Sequence, residues 1–65
     1  MNSITTEIRI GPCVIQIHGR RSRKGWEVRF NGNLQGTAPT KDKALRLAKD
    51  TAEPGVSGTI TVQPK

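Results

Sequence analysis

Short segments in which apolar and polar residues alternate make up most of this sequence, and this pattern is what most limits the fold. A period of two is typical of β-strands that bury one face. It predicts strands at residues 4–10, 13–18, 26–30 and 58–63. A shorter edge strand is predicted at 34–37, because Gly36 and Pro39 interrupt any longer run.

Turn and cap residues separate these segments. Gly11-Pro12 marks a sharp turn, and Asn31-Gly32 is the pair that type I′ hairpin turns favour. Thr40 is a typical helix N-cap, and Pro54-Gly55 stops a helix. Between them, residues 41–52 carry apolar side chains along one stripe and charged side chains on the opposite face, which predicts one amphipathic helix.

These elements predict a single α+β domain that spans residues 1–65. With this length there is no room for a second domain. We expect two layers: a three- to five-stranded, mainly antiparallel sheet with one α-helix packed on one face, in the order β-β-β-(β)-α-β. The two aromatic residues, Trp26 and Phe30, are expected in the core, and the other sheet face is expected to be polar and open.

No pattern of residues indicates a reaction. The single cysteine, Cys13, excludes an internal disulfide, and with the single histidine, His18, it cannot complete a zinc site. Cys13 is predicted to pack in the core, and His18 to lie at the surface. We therefore expect no enzyme activity, no metal and no cofactor.

The basic residues are the strongest indication of a partner. The formal charge is +6, and four of the 11 Lys and Arg residues fall in residues 19–25, which we call the basic segment: Arg20, Arg21, Arg23 and Lys24. Cationic side chains form charge-assisted hydrogen bonds with phosphate. We expect the basic segment to be a hairpin tip that binds a polyanion, with a solvated loop that keeps the chain soluble as the alternative.

Two further arginines are candidates for the same surface. Arg9 and Arg29 fall on the open face of the predicted sheet and would extend the positive surface. Glu7 and Glu27 would instead pair with them across strands, which is the interpretation that we favour for these four residues.

The composition also bears on location. The longest apolar run, Cys13 to Ile15, is too short to cross a bilayer, and the N-terminal residues show no apolar export signal. We expect a protein of the cytoplasm that does not contact membranes.

These features lead to two functional hypotheses. The first is a small accessory protein that binds nucleic acid, with DNA preferred, through the basic hairpin and the open face. The alternative is a phage or mobile-element module that binds an acidic host protein, using an exposed edge strand and the basic segment. Either a monomer or a homodimer joined through an edge strand is compatible with both.

Two resemblances accompany these hypotheses. The chain resembles a family of small uncharacterised bacterial and phage domains with a Gly-Trp-x-Val strand, a threonine-capped helix and a closing strand, which implies the fold alone. The residues that carry this resemblance are Gly25-Trp26-Glu27-Val28-Arg29, Asn31-Gly32-Asn33, Thr40-x-x-x-Ala44-x-x-x-Ala48 and Ile60-x-Val62. The layout of residues 20–52 is similar to the arm-type DNA-binding domains of tyrosine recombinases. That resemblance implies DNA contacts by Arg20, Arg21, Arg23, Lys24 and Arg29, although a strand follows the helix here.

Overall fold

Five strands and one helix form the part of the chain that the computed structural model describes, residues 4–19, 23–53 and 55–65, without the side chains of residues 4 and 5. The elements are β1 (Ile4–Ile10), β2 (Cys13–His18), β3 (Trp26–Phe30), β4 (Asn33–Ala38), α1 (Lys41–Ala52) and β5 (Gly58–Pro64). The predicted α+β class is confirmed, and β4 is one residue longer at each end than predicted.

The strands form one mixed sheet in the order β1-β2-β5-β3-β4. β5 runs parallel to β2 and antiparallel to β3, while β1–β2 and β3–β4 are antiparallel hairpins. The predicted hairpin between β2 and β3 is therefore wrong, because β5 lies between them. The central position suits β5, since Ile60 and Val62 are fully buried there with apolar neighbours on both sides.

One face of this sheet packs against α1 and forms the core. Ile60 is the register partner of Ile15 and of Phe30, and Val62 that of Val28. The helix contributes the buried Ala44, Ala48 and Ala52 to this core, and its half-buried Leu45 and Leu47 pack against the same core. Cys13 and Trp26 are buried in the same core, as predicted.

The turn and the helix cap that the sequence predicts are both present. Asn31 and Gly32 have φ angles of 50° and 88°, which confirms the positive values that a type I′ turn requires. Asn31 also joins β3 to β5: its N–H donates to the Thr59 carbonyl at 2.8 Å, and its Oδ1 accepts from the Thr59 N–H at 3.0 Å. At the start of α1, the Thr40 hydroxyl accepts from the Lys43 N–H.

The other sheet face, which we call the open face, is the face turned away from α1. Its residues are half-buried or exposed and mostly polar, as predicted, and include Glu7, Arg9, Gln16, His18, Glu27, Arg29, Thr59, Thr61 and Gln63. Val14 and Leu34 lie on the same face, because they pair in register with Arg9 and Arg29, and they add apolar surface to it. Within the described residues, no helix has the length and apolar character needed to cross a membrane.

Candidate nucleic-acid interface

The basic segment connects β2 to β3 at one end of the sheet. These two strands lie about 10 Å apart, because β5 lies between them. Arg23 and Lys24 are both exposed at this position. The other two candidates, Arg20 and Arg21, lie outside the described residues. The basic segment therefore does not join two neighbouring strands, and the predicted hairpin tip is wrong.

Other basic residues meet the basic segment at this end of the sheet. Lys65 directly follows β5, and its backbone N–H donates to the Gly25 carbonyl at 3.0 Å. α1 begins at the same end, because β4 ends at Ala38, the register partner of Trp26. The ammonium group of Lys41, the first residue of α1, lies 5.8 Å from the centre of the Trp26 ring. We call Arg23, Lys24, Lys41 and Lys65 the basic edge. An acidic residue, Asp42, also lies in the first turn of α1.

A groove opens beside the basic edge. Its volume is about 420 Å³, and it is lined by Arg23, Lys24, Gly25, Thr37, Ala38, Pro39 and Lys65. No acidic side chain is among these described lining residues. The arrangement therefore places positive charge on a concave surface with one hydroxyl group, which is suited to an anion.

Gly25 fixes the floor of this groove. Its φ angle is +93°, which favours glycine, and a Cβ atom at this position would lie 2.9 Å from the Ala38 carbonyl oxygen. The backbone just before β3 thus approaches the end of β4 so closely that a side chain does not fit. The last residue of the basic segment is consequently held between Ala38 on one side and Lys65 on the other.

The two arginines on the open face pair with carboxylates. Arg29 Nε lies 2.5 Å from Glu27 Oε2, and its Nη1 donates to the Gly32 carbonyl at 3.0 Å. Arg9 Nη2 lies 3.9 Å from Glu7 Oε1. The pairs run along one strand rather than across strands as predicted, because residues two apart share a face. These two arginines and two glutamates therefore balance in charge, so they do not contribute to the net positive charge of the protein.

His18 and Cys13 are not among the cationic residues that form this interface. Cys13 is fully buried in the core, as predicted. His18 is half-buried at the end of β2. In the described ranges, no three His, Cys, Asp or Glu side chains come together as a metal site requires.

Three members of the interface were not identified from the sequence: Lys41, Lys65 and Thr37. Lys41 follows the N-cap Thr40, so the sequence places it at a helix start but not at the basic segment. Lys65 and Thr37 come to the groove because β5 inserts beside β3. No local sequence pattern predicts that β5 inserts beside β3.

The two resemblances described above remain predictions. The Gly-Trp-x-Val segment forms the start of β3, and the threonine-capped helix is α1. Comparison of the chain with protein-family models, with curated proteins and with solved structures gave no match in any of the three.

Proposed function

We propose that this protein binds nucleic acid by placing its basic edge against the phosphate backbone. The observation that supports this most is the convergence of Arg23 and Lys24 with Lys41 and Lys65 at one end of the sheet. These residues come from three separate parts of the chain. Lys and Arg side chains supply most of the binding free energy in sequence-independent nucleic-acid binding, because they release counterions from the phosphates.

The open face contributes hydrogen-bonding groups next to the basic edge. The register places Gln63 and Thr37 on either side of Glu27, in the row of the open face that is nearest to the basic segment. Amide and hydroxyl groups in such positions bind sugar and phosphate oxygens and fix the orientation of a protein on its nucleic acid. Since Arg9 and Arg29 are paired with carboxylates, the basic edge is the principal contact in this proposal.

Titration of a fluorescent DNA duplex, followed by anisotropy at several salt concentrations, tests the proposal. If four to six phosphates are neutralised, log K should fall against log salt with a slope of roughly −4 to −5. Replacing Arg20, Arg21, Arg23 and Lys24 by alanine should abolish most of the binding. The proposal fails if no saturable binding to duplex DNA, single-stranded DNA or structured RNA occurs at low salt, or if the affinity is independent of salt.

An acidic protein is the second candidate partner, and the edge strand β4 favours it. β4 pairs with β3 on one side only, carries no charged side chain, and has Leu34 54% exposed. An extended peptide could add to such an edge, with the basic edge attracting its acidic residues. The same alanine variant separates the two candidates: it should lose the duplex complex if the partner is nucleic acid, and a specific protein complex if the partner is acidic protein.

A further inference from the structure

We infer that the groove between residues 23–25 and the end of β4 binds one sugar–phosphate unit of a nucleic-acid backbone. This inference rests on the proposed function for the identity of the ligand. It goes beyond that proposal by naming a site, its lining residues and the chemical group that occupies it.

The charge of the groove selects an anion. Arg23, Lys24 and Lys65 supply three cationic side chains, and the other described lining residues have no charged side chain. Arginine offers two parallel N–H donors to phosphate oxygens, and lysine offers a compact positive charge. Cations from both the basic segment and the residue after β5 would therefore contact a phosphate from two directions.

The groove is also held in place before any ligand arrives. The Lys65 N–H donates to the Gly25 carbonyl at 3.0 Å, and Trp26 pairs in register with both Ala38 and Pro64. These contacts fix the floor to three strands of the sheet. Little conformational entropy of the backbone is then lost on binding, which favours affinity.

Size and lining indicate more than a lone phosphate. The volume of about 420 Å³ lies in the range of roughly 300–1,000 Å³ that is usual for sites of small organic ligands. Thr37 offers a hydroxyl group, while Ala38 and Pro39 offer apolar surface to the carbon atoms of a sugar. Since the groove is open to solvent, a neighbouring part of the nucleic-acid backbone can extend out of it.

Two matched double variants test the inference. Arg23→Gln/Lys65→Gln removes one arginine and one lysine from the groove, and Arg46→Gln/Lys49→Gln removes the same charges from the exposed face of α1. With a DNA duplex, the groove variant should bind about tenfold more weakly than the helix variant, and its salt slope should be smaller by about 2. Equal effects of the two variants on a duplex that the unaltered protein binds would overturn the inference and leave the proposed function standing.

A titration with inorganic phosphate, followed by amide chemical shifts, tests the groove without nucleic acid. A site of this kind should give saturable shifts at Gly25, Thr37 and Lys65 that an equal concentration of chloride does not produce. If the unaltered protein binds no nucleic acid, saturable shifts at these amides would support an anion site in the groove while refuting the proposed function. If the unaltered protein binds no nucleic acid and shows no such shifts, both the proposed function and this inference are overturned.

Discussion

The guanidinium of Arg29 lies 2.5 Å from the carboxylate of Glu27, two residues earlier on the same strand. The Glu27 side chain is only 16% exposed, so this pair is partly shielded from water and salt. Because each charge of this pair neutralises the other, Arg29 contributes little net charge to a nucleic-acid complex in the present arrangement.

Replacing Glu27 by glutamine should therefore strengthen binding to a duplex. The variant keeps the side-chain size, frees the charge of Arg29, and should make the salt slope steeper by up to about 1. The lost ion pair should lower the free energy of unfolding by about 1 kcal/mol. Anisotropy and urea denaturation measure the two effects.

Glu7→Gln is the matched control, because the Glu7 and Arg9 charges are 3.9 Å apart and more exposed. It changes the net charge by the same amount, and we expect a smaller loss of stability. If both variants raise the affinity equally, only the overall charge matters, and Arg29 does not contact the nucleic acid.

Alanine at position 25 should destabilise the domain severely. A Cβ atom there would lie 2.9 Å from the Ala38 carbonyl oxygen, and this backbone atom cannot move without disturbing the β3–β4 pairing. Gly32→Ala is a suitable control, since Gly32 has a similar φ of +88° but open space around it. Both variants carry the cost of positive φ, about 1 kcal/mol or more.

The clash should add a further loss of about 2 kcal/mol for Gly25→Ala alone. Circular dichroism during urea denaturation gives both free energies of unfolding. Equal losses in the two variants would mean that the chain at Gly25 relaxes easily, which would contradict the rigid groove floor described above.

Asn31 should contribute more to stability than its exposed position indicates. Its Oδ1 accepts from the Thr59 N–H, and its φ of 50° is a value that asparagine tolerates better than most residues. Asn31→Ala should lower the free energy of unfolding by about 1–2 kcal/mol. Asn33→Ala, at an exposed position two residues later, should change it by less than about 0.5 kcal/mol. A neutral Asn31→Ala variant would contradict the role of this contact.

The protein should prefer double-stranded to single-stranded nucleic acid. Proteins that bind single strands generally stack bases on aromatic side chains. The chain has one tryptophan and one phenylalanine; Trp26 is 5% exposed and Phe30 packs against the core. Competition between a duplex and one of its strands, at equal nucleotide concentration, measures the preference. Tighter binding of the single strand would show that bases contact the protein by a route other than aromatic stacking.

The sequence was sufficient to predict where each element lies, because turn residues bound every segment and the alternation shows which face is buried. It did not predict the neighbours of β5. Alternation in Ile60 and Val62 identifies a buried face, but it carries no information about which strands flank that face, since pairing depends on contacts distant in sequence. The same limit explains the candidate site: Arg23 and Lys24 stand out in the sequence, whereas Lys65 reaches them only through the strand order.

The central position of β5 also has a consequence for how this chain acquires its structure. In a chain that extends only to residue 57, the strand pairs of the native sheet are limited to β1–β2 and β3–β4, which have no strand in common. These pairs become one sheet only when β5 pairs with both β2 and β3, so we expect these long-range pairings to form together. Because Lys65 follows β5 and lines the groove, competence to bind a ligand there should appear in step with global folding.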